Sequence, residues 1–242
     1  MKLALWTPLR ERGWPARLAP ALGRAAELVV VGTETTARPA VDLDLYHLAD
    51  DPAHGFVYRA LLDRPGLVLL DDWSLHGLVW AETAGRGEVA SYRRDARRER
   101  GATGDFIARQ VVAGCGGALT GLLPLNGRVL DASVALATPR EEIRARAARR
   151  LCGRSVVRLA LDDPGAPLEP LAAALVALAR EGLGCLADRV RALEAARSLD
   201  GTPLGRALEA VRPRAHELGL AELPEGARLR FAALLPGAGG RR

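Results

Sequence analysis

The stretch Leu43-Asp44-Leu45-Tyr46-His47-Leu48, followed by Ala49-Asp50-Asp51-Pro52-Ala53, then His54 to Asp63, then Arg64-Pro65-Gly66 and Leu67-Val68-Leu69-Leu70, decides the fold. Two short apolar runs flank a segment in which Phe56, Val57, Ala60 and Leu61 recur at helical spacing. Strand, turn, helix, turn and strand in that order is the unit from which a parallel sheet covered by helices is built.

The pattern extends in both directions. Leu3 to Trp6, Leu28 to Val31, Val134 to Ala137 and Val156 to Leu161 are further strand-like runs, and Asp105 to Leu123 and Arg140 to Leu151 read as helices. Residues 1–164 are therefore expected to form an α/β domain with a Rossmann-like parallel sheet. Asp162-Asp163-Pro164-Gly165 is rich in turn formers, and residues 165–242 read as a helical tail packing on that domain or on a partner. In the tail, Leu168 to Arg180 and Leu186 to Leu199 are separated by Gly182 and Gly184, and Thr202 to Leu218 is interrupted by Pro213. Trp80 to Gly104, with Arg93, Arg94, Arg97, Arg98 and Arg100 among acidic residues, reads as a surface excursion, a solvated helix or loop.

With 242 residues and 49% hydrophobic content the chain buries a sizeable core, which excludes a disordered tail. A formal charge of +5 mildly favours anionic ligands. Lys2 is the only lysine, the usage of a GC-rich bacterial genome, so codon bias accounts for part of the arginine content. Cys115, Cys152 and Cys185 lack C-x-x-C spacing and are odd in number, which argues against disulfides or a zinc site and for reduced core residues in the cytoplasm. No run is long and apolar enough for a signal peptide or a transmembrane segment.

Tyr46-His47-Leu48-Ala49-Asp50-Asp51-Pro52-Ala53-His54 resembles a block of bacterial family 4 glycosyltransferases that usually reads Tyr-His-Leu-Gly-Asn-x-Pro-x-His. Leu70-Asp71-Asp72-Trp73-Ser74-Leu75-His76-Gly77-Leu78 resembles their Leu-His-Asp-x-x-Leu-His-His-Leu, and Leu123 to Asn126, Val129 to Ser133 and Ala137-Thr138-Pro139 continue in register. The resemblance implies the acceptor-side, N-terminal domain of the two-domain GT-B fold, in which a second domain binds the sugar nucleotide.

Four departures bear on activity, because glycosyl transfer needs a positioned acceptor and charge stabilisation at the leaving phosphate. The loop after the first strand carries Trp14 where a phosphate cradle wants small residues. Ala49-Asp50 replaces Gly-Asn; Asp71 replaces a His that faces the reacting sugar, and Gly77 replaces another His. No second glycine-rich nucleotide fold follows. Thr202-Pro203-Leu204-Gly205 and His216 to Pro224 resemble closing segments of full-length relatives, as an internal deletion of the donor domain would leave them.

The candidate catalytic residues are Asp71 and Asp72. They read either as a metal-binding or general-base pair at a strand end, or as a turn and helix cap using Asp72 or Ser74, and the second reading is favoured. Tyr46, His47, His54 and His76 are the acceptor-cleft candidates, with a hydrogen-bonded structural role the alternative for each; His216 reads as surface. No metal and no cofactor is expected, save a sugar nucleotide where a partner supplies the donor site. The arginines of 93–100 lack aromatic interleaving, so nucleic acid is not an expected partner.

The implied function is a degenerate, truncated glycosyltransferase-like protein serving as a non-catalytic binding or assembly subunit in glycan or polysaccharide biosynthesis. Its expected partners are another copy of itself or an intact glycosyltransferase, and a small acidic or lipid-linked acceptor, which would bring it to the inner membrane. The alternative is a split glycosyltransferase whose donor site comes from a second chain.

Overall fold

The computed structural model describes residues 1–8, 13–35, 37–151 and 153–192, with side chains through residue 184. The fold is α/β. Six parallel strands, β1 (Lys2–Trp6), β2 (Glu27–Val31), β3 (Leu43–Leu48), β4 (Gly66–Leu70), β5 (Ser133–Thr138) and β6 (Val156–Arg158), form one sheet in the order β2-β1-β3-β4-β5-β6. Helices α1 (Trp14–Ala25), α2 (Gly55–Asp63), α3 (His76–Glu82), α4 (Val89–Val112), α5 (Gly127–Ala132), α6 (Glu141–Arg150) and α7 (Leu168–Ala192) cover it.

Alternation along the strands sorts the core into two layers. Leu3, Leu5, Leu43, Leu45, Leu67 and Leu69 face α1 and α7, where Leu18, Leu22, Leu175 and Leu178 meet them. Ala4, Trp6, Tyr46, Leu48, Val68 and Leu70 face the layer of α2 to α6. Each fully buried leucine contributes about 1.5–3 kcal/mol, so both layers are needed to offset chain ordering.

The second layer contains a buried charge. Asp44, its side chain 0% exposed, accepts from Trp6 Nε1 at 2.8 Å and from Arg64 Nε at 2.6 Å. The Tyr46 hydroxyl lies 2.9 Å from Asp44 Oδ2 and 2.8 Å from the Arg64 carbonyl, with one proton for both. Burial, and then the Asp44 charge, push this phenol well above its ordinary pKa. Gly66 makes room: a Cβ there would lie 2.7 Å from the Tyr46 ring and would collide with the Asp44 carbonyl.

Several boundaries differ from the sequence reading. Helix α1 was not anticipated, because Pro15 and Pro20 disguise it; Pro15 lies at its start, where no amide proton is needed. Residues 80–104 take the helical of the two expected forms, but Tyr92 and Ala96 are fully buried, so only the arginine face of α4 is solvated. Helix α4 ends at Val112, and Gly117–Leu122 is a separate 3-10 segment. Strand β6 stops at Arg158, short of Leu161. Helix α7 runs unbroken through Gly182 and Gly184; a Cβ at Gly182 would meet Val134 and Ala135 at 3.2 and 3.3 Å, so this glycine serves close packing on β5. Cys115 is exposed rather than in the core, and Cys152 lies outside the described residues. So do the expected helix over 202–218, the end of the one over 186–199, and His216. No helix among the described residues is long and apolar enough to cross a membrane.

Asp44→Ala is expected to lower the unfolding free energy by about 3–5 kcal/mol in urea denaturation, because Arg64 is left charged and buried. Glu169→Ala, which removes an exposed partner of Arg24, should leave the urea midpoint unmoved.

Candidate functional site

The sheet order makes β1 a turning point: the chain leaves it through α1 to β2 on one side and returns to β3 on the other. In open α/β sheets that arrangement opens a crevice beyond the carboxyl ends of the strands. A pocket of about 210 Å³ lies there, lined by the start of α1 at Trp14, by His47 at the end of β3, by Asp51 and His54 beyond it, and by Asp71 directly after β4.

Of the sequence candidates, His47, His54 and Asp71 share this pocket. His47 Nδ1 is 2.9 Å from the buried Thr7 hydroxyl, and its Nε2 is 2.8 Å from Asp71 Oδ2. With Asp71 ionised and the ring neutral, Nε2–H donates to the carboxylate and Thr7 donates to Nδ1. Trp14 completes the cluster: its ring packs edge-on to His47 at 4.7 Å, and its Nε1 donates to the same Asp71 oxygen at 3.2 Å. Asp71 Oδ1 is buried and has no hydrogen-bond partner.

His54 packs edge-on against His47 at 4.7 Å and donates from Nδ1 to the His47 carbonyl at 2.8 Å. Burial, reinforced by the neighbouring His47, pushes its pKa down to about 4. The ring is therefore neutral at pH 7, and its Nε2 carries a lone pair.

Tyr46, His76 and Asp72 do not line the pocket. Tyr46 points into the opposite layer with Asp44, one residue of alternation away from His47. His76 is buried at the start of α3, where Nδ1 donates to the Leu123 carbonyl and Nε2 accepts from the Tyr92 hydroxyl at 3.0 Å. Asp72 accepts from the Asp50 amide at 3.1 Å and lies 3.8 Å from Arg140. Neither Asp72 nor Ser74 is the main cap of α3. Asp50 takes that place, accepting from the Leu78 amide at 2.8 Å, while Ser74 Oγ reaches the His76 amide only at 3.5 Å. Burial raises the Asp50 pKa despite its bonds from the Leu78 and Gly77 amides.

Two pairs of unusual residues thus touch. Trp14 donates to Asp71, and Gly77 leaves the space for Asp50, since a Cβ at 77 would stand 3.1 Å from Asp50 Oδ1. The sequence marks all four as separate departures, Trp14 among them as too large for a phosphate cradle. Sequence reasoning missed Thr7, whose only signal was its place directly after β1. Among the described residues no three His, Cys, Asp or Glu side chains converge as a metal-binding group. No protein-family model, curated protein or solved structure matches the chain.

The His54 shift makes a signed prediction. Between pH 6.5 and about 4 the unfolded chain binds a proton that the folded chain refuses. Stability should therefore fall as pH falls through that window, by up to roughly 3 kcal/mol from this residue. Urea midpoints recorded from pH 7 to 4 should show a shallower decline in His54→Asn than in the parent; parallel curves would rule the residue out as the cause.

Proposed function

We propose that the chain is a degenerate glycosyltransferase-like protein, akin to the acceptor-side domain of family 4 enzymes, that acts as a binding or assembly subunit in glycan biosynthesis and does not transfer sugar alone. The observation that carries this reading is the commitment of Asp71. Where the resembling enzymes present a His to the reacting sugar, this chain has a carboxylate whose Oδ2 faces both His47 and Trp14. Oδ2 is already engaged by two donors, which leaves only the buried Oδ1 to accept, and the His47 ring is turned to Thr7 and Asp71 instead of toward an acceptor hydroxyl.

The size of the pocket points the same way. At about 210 Å³ it lies below the roughly 300–1,000 Å³ typical of sites that enclose a drug-sized ligand, and a single hydroxylated ring fits it better than a sugar nucleotide does. Trp14 lies at the start of α1, where the backbone amides would otherwise meet a phosphate. The apolar Trp14 wall with the His54 lone pair and the Asp71 carboxylate suits a neutral ligand that donates hydrogen bonds.

Calorimetric titration of the isolated chain with sugar nucleotides is expected to give no saturable binding tighter than about 1 mM. Micromolar affinity would overturn the subunit reading. Sugar transfer that arises only on mixing with an intact or donor-domain chain, and that Asp71→Asn abolishes, would instead establish the split enzyme.

A further inference from the structure

A second cavity, about 550 Å³ in volume, opens in the α2 to α5 layer, on the opposite side of the sheet from α1 and α7. Five arginines line it from four separate elements: Arg59 of α2, Arg86 of the short turn after α3, Arg94 and Arg98 of α4, and Arg128 of α5. They face three lining carboxylates, Glu82, Glu88 and Asp95. Arg98 also donates to Asp131, outside the lining, at 2.8 Å, so one guanidinium is left in excess, and burial raises the Asp95 pKa, which weakens its hold on a negative charge.

The pairing inside the cavity is uneven. Glu82, its side chain only 6% exposed, is shared by Arg59 and by Arg86, the latter at 2.8 Å. Gly55 allows this, because a Cβ there would collide with the Glu82 carboxylate. Arg94 donates to the neutral Ser91 hydroxyl at 2.8 Å, and Arg128 reaches Asp95 only at 3.4 Å. Tyr58 is 3% exposed and lines the same cavity, yet its hydroxyl has no hydrogen-bond partner. Burial, and then the Asp95 charge, raise the pKa of this phenol, and the Arg128 charge acts against them. An unpaired hydroxyl so deeply buried costs about 1–3 kcal/mol unless something from the cavity meets it.

We propose that this cavity is a binding site for a small multivalent phosphate anion of the pyrophosphate class, gripped by Arg59, Arg86 and Arg94 and bonded by the Tyr58 hydroxyl. The guanidinium fork matches phosphate oxygens bidentately. Arg59, Arg86 and Arg94 reach the cavity from three separate elements, which suits a ligand with more than one anionic group. The volume is sufficient for a diphosphate with a substituent. This site is independent of the strand-end pocket and of the function proposed for it.

Titration of the full chain with inorganic pyrophosphate is expected to give saturable one-to-one binding that weakens as salt rises. Arg94→Ala, which removes an exposed guanidinium, should weaken it by about tenfold or more, and Tyr58→Phe by a smaller factor. Absence of saturable binding up to about 5 mM, or parental affinity in Arg94→Ala, overturns the proposal. A parallel sedimentation with phosphatidylglycerol vesicles separates the free anion from a lipid headgroup: vesicle binding without pyrophosphate binding also overturns it.

Discussion

A carboxylate with no exposure to water must be met by donors on every side, and in this fold the elements that meet Asp44 are those whose relative placement defines the sheet. Trp6 comes from β1, Tyr46 from β3 itself, and Arg64 from the turn that carries the chain out of α2 into β4. Losing Arg64 leaves the charge uncompensated in a medium that penalises it by several kcal/mol, and losing Trp6 or Tyr46 leaves a buried carboxylate oxygen short of a donor, so the strands are held in register by more than backbone bonds and packing. Gly66 belongs to the same constraint, since only a residue without Cβ lets β4 start this close to Asp44 and Tyr46.

The sheet was legible in the sequence because a strand buried on both faces leaves a nearly continuous apolar run, as β1, β4 and β5 do, while β2 at the edge still reads Leu-Val-Val-Val and β3 shows through Leu43, Leu45 and Leu48. The order of the strands was not, since β2 to β3 crosses the sheet without a helix to announce it. Helix α1 is hidden by its prolines, and the buried face of α4 by its arginines: one stripe through Tyr92 and Ala96 is easily lost among so many charges. Gly182 misled in the opposite direction, because a glycine signals a break only when its backbone turns, and here it lies flat against β5.

The site divided along similar lines. His47, His54 and Asp71 meet in one place because each sits at or just beyond the carboxyl end of a parallel strand, where the sheet geometry gathers side chains from distant positions. Tyr46 and His76 carried the same motif signal and went elsewhere. For Tyr46 the reason is the two-residue period of a strand; for His76 it is the buried start of α3, where Leu123 and Tyr92 take up both ring nitrogens. Contacts between residues far apart in sequence, such as Trp14 with Asp71, leave no local pattern to read.

Along β3 that period separates two jobs with no linker between them. Asp44 and Tyr46 turn toward the α2 to α6 layer and hold the fold's buried charge; His47, the next residue, turns toward α1 and organises the pocket. A slip of one residue in the pairing of β3 would exchange the faces, setting the carboxylate of Asp44 against Leu18 and Leu22 and the imidazole against Arg64. The buried charge therefore does more than stabilise. By making that slip prohibitively costly, it fixes which way His47 points, and with it the geometry of a strand-end site built from only a few side chains.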